Sequence, residues 1–261
     1  MRSDVQSARA EVERIDRAMA GVGRPVPGFR ELLERDAHRG YAARLEAWKL
    51  EHPDAEARWR ALASEAAAAE ERLRALECAA AEEARAWSRL EALELGKRTL
   101  DGLRAGDATP ALEGVRRWLQ SSPRPWALAL SGGPGCGKTV AAAFAAMRAL
   151  ASGKRAEWVK CTQASREPIF GDEAMARERR WRTAGLLVLD DVGAEFASDA
   201  WVATLASVLD ARWDAEAPTV ITTNLDADGL RLRLGGRTVD RLAQSGRFEA
   251  CGELSLRRRS A

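Results

Sequence analysis

The stretch "GGPGCGKT", Gly132 to Thr139, decides how the rest of this 261-residue chain is read. It fits the spacing G-x-x-x-x-G-K-[ST], follows the apolar run "WALALS" (126–131) and precedes the helical run "VAAAFAAMRALASG" (140–153). A strand, a glycine-rich turn and a helix in that order make a phosphate cradle. Backbone N–H groups converge on the anion, and the helix N-terminus adds partial positive charge. Gly132, Gly133, Pro134, Gly135, Cys136 and Gly137 form the loop around the phosphates. Lys138 is placed to reach the β- and γ-phosphates, and the Thr139 hydroxyl to take Mg²⁺. The expected cofactors are therefore ATP and Mg²⁺.

Outward from that loop, short apolar runs alternate with helical stretches. "AEWVKC" (156–161), "GLLVLD" (185–190), "PTVITT" (218–223) and "RFEACGE" (247–253) join "WALALS" as strand candidates. Strands alternating with helices predict a mostly parallel sheet covered on both faces. "LLVLDD", Leu186 to Asp191, ends in two acids. Asp190 suits Mg²⁺ coordination, and Asp191 is placed to orient an attacking water. The stretch between the P-loop and Asp190 has room for a helix, a strand and another helix. That fits ATPases in which a further strand separates the acidic strand from the P-loop strand. Asn224 ends "TVITTN" and stands where it can hold the water, although Asn at a strand end is commonly a turn former. Arg237 and Arg241, in "LGGRTVDRL", share one helix face, and spacing alone reads them as solvated.

In this order, "SGGPGCGKT", "LLVLDDVGAE", "TTN", "LGGRTVDRL" and "GELSLR" resemble the DnaC/IstB-like branch of AAA+ ATPases, over roughly residues 96 to 259. That branch includes bacterial and phage helicase loaders and the ATPase subunits of some transposons. The resemblance implies an α/β P-loop AAA+ core with a parallel five-stranded sheet and no lid domain. It makes Asn224 the first sensor, Arg241 an arginine finger and Arg257, in "LSLR", a closing arginine near the C-terminus. With no residues left for a helical lid, the tail arginine and a neighbouring subunit's finger are expected to complete the pocket. Asp190-Asp191 departs from the Asp-Glu of many loaders, and the shorter second side chain points to slow hydrolysis.

Upstream the composition changes. No Gly or Pro occurs from Asp54 to Leu95. Trp59, Leu62, Ala66, Ala69, Leu73, Leu76, Ala80, Trp87 and Leu90 follow 3-4 spacing, broken only at Glu83. That is a heptad seam. Val5, Ala8, Val12, Ile15 and Met19 repeat the spacing, "GVGRPVPG" interrupts it, and a further helical run spans Phe29 to about Leu50. Residues 1–95 are expected to form an α-helical coiled-coil region, a hairpin or three helices, that docks a partner. "LGKRTLDGLRAGDATP" (95–110) is read as a linker into the ATPase domain, residues 96–261.

Hydrophobic residues make up 46% of the chain and charged residues 31%, with net charge +2, which suits a soluble protein with a real core. No apolar run approaches the ~18 residues of a membrane span, and the N-terminus is too charged for a secretory signal. A cytoplasmic protein is expected. Arg outnumbers Lys 36 to 5 in an Ala-rich chain, a coding bias that makes Arg richness poor evidence for DNA binding. Arg177, Arg179, Arg180 and Arg182 form the one local basic cluster, and a solvated helix end explains it equally well. No helix-turn-helix or zinc-finger pattern supports sequence-specific readout. Cys78, Cys136, Cys161 and Cys251 are scattered and read as isolated buried thiols.

The resemblance implies an ATP-dependent switch that loads a replicative helicase onto single-stranded DNA. The N-terminal helices would grip the helicase, and the ATPase domain would self-assemble around the strand. Two readings stay open beside it: an IstB-like ATPase delivering a transposase to target DNA, and a coiled-coil adaptor that binds ATP with little turnover.

Overall fold

The computed structural model describes residues 2–21, 50, 53–196 and 198–252, so Arg257 and the expected helical run over 29–49 lie outside the described residues. Contacts divide the chain into two units, Met1–Ala84 and Arg85–Ala261.

In the first unit, helix α1 (Arg2–Gly21) pairs with helix α2 (Pro53–Glu91). Arg9 meets Glu77 at 2.6 Å, Arg72 meets Glu11 at 3.1 Å, and Arg14 meets Glu65 at 2.7 Å. Later residues of one helix meet earlier residues of the other, so the pair is antiparallel. Exposed ion pairs of this kind contribute at most ~1 kcal/mol each. The apolar seam holds the helices together: Ala8, Ile15 and Ala69 are buried, and Leu62, Ala66, Leu73 and Leu76 are partly buried. Proline at the first position of α2 costs nothing, because that N–H has no helical partner.

The second unit begins with the end of α2, whose Ala86 and Leu90 enter its core. The stretch expected to be a linker is instead structured. Lys97–Ala105 forms helix α3, ended by Gly106 at φ 70°. Helix α4 (Pro110–Gln120) starts on Thr109, whose side chain accepts a hydrogen bond from the Leu112 N–H at 3.0 Å. The Gly, Thr and Pro that suggested a linker are the caps of two helices. Leu103 is buried, and Gly102 lies so near Val140 that an added Cβ would sit 3.0 Å from a Val140 methyl.

Five parallel strands follow: β1 (Ala127–Ser131), β2 (Ala156–Lys160), β3 (Leu186–Val192), β4 (Thr219–Thr223) and β5 (Arg247–Ala250). Their order across the sheet is β2-β3-β4-β1-β5. Each coincides with an expected run, and β4 lies between the P-loop strand and the acidic strand. The connections carry helices α5 (Lys138–Ala151), α6 (Cys161–Ala164), α7 (Asp172–Thr183), α8 (Asp199–Asp214), α9 (Ala227–Leu234) and α10 (Gly236–Ser245).

Alternation along the strands builds two cores. Leu128, Leu130, Val188 and Val220 pack with Trp118 of α4 and the alanines of α5. Ala127, Ala129, Leu187, Leu189 and Ile221 pack with Trp201, Leu205 and Leu209 of α8 and with Val239 and Leu242 of α10. Each fully buried leucine contributes ~2 kcal/mol. Arg212, also fully buried, donates to the carbonyls of Trp181, Arg182, Ala184 and Pro218 and to the Thr219 hydroxyl. It ties together the chain entering β3 and the chain entering β4; burial pushes its pKa down to about 10.

Among the described residues no helix is long and apolar enough to cross a membrane. Cys136, Cys161 and Cys251 are buried free thiols, whereas Cys78 is exposed, against the expectation of burial.

Candidate nucleotide-binding site

β1 ends at Ser131 and α5 begins at Lys138, so the glycine-rich stretch is the turn between them. Gly137, at φ 94°, caps α5 in a left-handed conformation that a side chain would strain. Gly132 is held by space as well: a Cβ there would lie 2.6 Å from the Gly252 carbonyl oxygen. The chain leaving β5 walls the loop. The Gly133 N–H donates to Gly252 O at 3.0 Å, and the Cys251 N–H donates to Ser131 O at 2.6 Å. Nothing in the spacing of the motifs foretells that wall.

Lys138 is only 6% exposed. Its ammonium donates to Gly132 O at 2.7 Å, Gly133 O at 2.9 Å and Asn224 Oδ1 at 2.9 Å. All three oxygens are neutral, so among the described residues the buried positive charge has no carboxylate partner. That arrangement fits a polyphosphate, which supplies the missing negative charge. Asp190, at the end of β3, accepts from Thr139 Oγ1 at 3.1 Å and from Thr222 Oγ1 at 2.7 Å. A carboxylate beside a threonine hydroxyl is the hard oxygen pair that suits Mg²⁺. Burial raises the Asp190 carboxyl above its ordinary range, Asp191 adds to this, and the two threonine hydroxyls oppose it. Lys138, Thr139, Asp190 and Asn224 thus come together from α5 and from the ends of β3 and β4.

Asp191 is exposed and has φ 60°, at a shift of register between Leu189 and Val192. Its N–H donates to Thr222 Oγ1 at 2.9 Å, so Thr222 bonds both acids. Thr222 escaped the sequence reading; a polar side chain inside a fully buried strand was the available signal. Glu195, also unforeseen, is buried beyond the turn. It accepts from the Gly193 N–H at 2.6 Å and pairs with Arg233 at 3.0 Å.

Arg241 belongs to a different cluster. On α10 it pairs with Asp210 of α8 and lies over the Trp213 ring at 4.1 Å from the centroid; its side chain is 13% exposed. Arg237, one turn away and 74% exposed, approaches the same carboxylate at 3.6 Å. The structure therefore does not bring Arg241 to its own chain's Lys138 and Asp190. The basic cluster on α7 is largely committed: Arg177 pairs with Glu167 at 2.5 Å, Arg182 with Glu178 at 2.6 Å, and Arg180 approaches Glu157 at 4.0 Å.

The strand order, the phosphate loop after β1 and the acid at the end of β3 define an α/β P-loop fold of the AAA+ type. Among solved structures, the chain is similar to a crystal structure of the DnaC helicase loader, at 23% identity and TM-score 0.43, over 54% of this chain and 88% of that one. It is similar to a crystal structure of DnaI at 20% identity and TM-score 0.44, over 54% and 79% of the two chains. AMPPCP-bound DnaA from Aquifex aeolicus aligns at 18% identity and TM-score 0.45, over 57% and 46%. No family model matches the sequence, and no curated protein sequence matches it.

Proposed function

We propose that this chain is a cytoplasmic ATPase that uses bound ATP and Mg²⁺ as a slow switch to load a replicative helicase onto single-stranded DNA. The observation that carries the nucleotide part is a pair of hydrogen bonds at the P-loop, Lys138 to Asn224 and Thr139 to Asp190. In this reading Lys138 holds the β- and γ-phosphates, and Thr139 and Asp190 hold Mg²⁺, which neutralises phosphate charge when bound. Asn224 and Asp191 position water. The exposed, left-handed Asp191 supports slow turnover. The helicase, the strand and self-assembly rest on the DnaC/IstB-like order of the motifs. Residues 1–95 serve as the docking region, where an antiparallel helix pair offers a long face. Arg241 acts in a neighbouring subunit's pocket after leaving Asp210, and Arg257 is the closing arginine that the DnaC/IstB-like motif order implies.

The test mixes two inactive proteins. Arg241→Ala should leave ATP affinity unchanged and lower DNA-stimulated hydrolysis about tenfold to a thousandfold, below the largest arginine-finger effects because water is held by the short Asp191. Arg237→Ala should do less. Adding Lys138→Ala protein, which has an intact finger, to Arg241→Ala protein, which has an intact P-loop, should restore part of the rate. If the mixture stays inactive while each variant still assembles with wild type, Arg241 does not act across subunits.

A further inference from the structure

We propose that a concavity at the N-terminal edge of the sheet binds a backbone phosphate of single-stranded nucleic acid, through Arg124, Arg148 and Lys154. The inference rests on the part of the proposed function in which the chain meets a single strand, and it assigns the place of contact. The concavity encloses about 160 Å³ where β3 and β4 begin, at the opposite end of the strands from Lys138 and Asp190. Three cations line it and no acid does.

No carboxylate lines the concavity beside these cations among the described residues. Arg124 is fixed by neutral groups: it donates to Leu119 O at 3.0 Å, and its guanidinium lies 5.4 Å from the centre of the Trp118 ring. Arg148 and Lys154 are exposed, and neither has a carboxylate partner among the described residues. Arg148, in the last turn of α5, offsets the partial negative charge of that helix end. Beneath them, the buried Arg212 donates to the carbonyl of Pro218, which lines the concavity. This contrasts with α7, where the basic cluster is tied up by glutamates. An unpaired set of cations around a fixed guanidinium is what a phosphate requires, and such contacts dominate the affinity of nucleic-acid binding.

The neighbouring concavity, about 560 Å³, shares Arg124 and is lined by Trp126 and Trp213, with Asp214 and Glu216 at its side. The Trp126 indole N–H is buried without a partner. Trp126 is itself buried and Arg241 covers the Trp213 ring, so the cations of the first concavity, and not a stacking face, are what the charged backbone of a strand would meet.

The experiment titrates full-length protein into a labelled oligothymidylate at several NaCl concentrations, with ATP and Mg²⁺ saturating the P-loop. Wild type should bind with a salt-dependent constant. The double variant Arg148→Gln/Lys154→Gln should bind about tenfold more weakly, and the slope of log K against log salt should shrink by about 1.4, or ~0.7 for each lost contact. Arg179→Gln, which removes an exposed charge from α7, should leave that slope unchanged. All variants should bind ATP as wild type does, which verifies folding. An unchanged slope in the double variant, or the loss appearing in Arg179→Gln, overturns the site while leaving the function standing. Wild type that binds no oligonucleotide overturns the single-strand reading and the site with it. Binding of inorganic phosphate with no change in oligonucleotide affinity also overturns the proposal.

Discussion

The two ends of the sheet handle positive charge in opposite ways. At the C-terminal end, the Lys138 ammonium is buried among neutral oxygens and Asp190 faces two hydroxyls. Each polar group there has a partner that a nucleotide or Mg²⁺ can replace. At the N-terminal end, Arg212 is locked by five acceptors inside the fold, while Arg148 and Lys154 stand exposed with no acid beside them among the described residues. The difference teaches that charge at a strand end means little by itself. What matters is whether its neighbours can be exchanged for a ligand or are built into the core.

The largest effect that follows concerns Arg212. Replacing it with Met should destabilise the second unit by about 3 kcal/mol, because several buried carbonyls lose their donor. Urea denaturation followed by tryptophan fluorescence measures this. A loss under ~1 kcal/mol would mean that the N-terminal end is held by packing alone, and the contrast between the two ends would fail.

The next effect lies at the other end. Asp190→Asn should abolish the strengthening of ATP binding by Mg²⁺, on the order of tenfold, and leave Mg²⁺-free binding nearly unchanged. Wild type should show the same loss with acid. The binding form of Asp190 is the carboxylate, and burial raises its pKa. As pH falls, the Mg²⁺ effect should therefore disappear at a higher pH than an ordinary aspartate, near ~3.9, would give. Titrations across a pH series check the sign: loss only below that value would place Asp190 in a wetter site than the structure shows.

Much of the sheet was legible in the sequence, for a physical reason. Parallel strands buried on both faces are continuous apolar runs, and "WALALS", "LLVLDD" and "TVITT" are of that kind. Lys138 and Asp190 were legible because the cradle fixes their spacing along the chain. The helices α3 and α4 were misread because Gly106, Thr109 and Pro110 break a pattern equally well as caps or as a linker. Thr222 was legible in principle, as a hydroxyl in a buried strand. The contacts of Arg241 with Asp210 and Trp213, and the wall that Gly252 forms against Gly132, join residues far apart in sequence. No local periodicity carries them. The cations at the N-terminal end of the sheet are partly of the same kind, since Arg124 precedes β1 whereas Arg148 and Lys154 lie at the far end of α5, yet all three line one concavity.

Binding of ATP through Lys138 underlies every other step. Calorimetric titration of Mg²⁺–ATP into wild type and into Lys138→Ala compares the two directly. Removing the ammonium deletes charge-assisted contacts to two phosphates and should weaken binding on the order of a hundredfold, with the circular dichroism spectrum unchanged. Equal affinity in the two proteins, with both folded, would contradict the assignment of this loop as the nucleotide site.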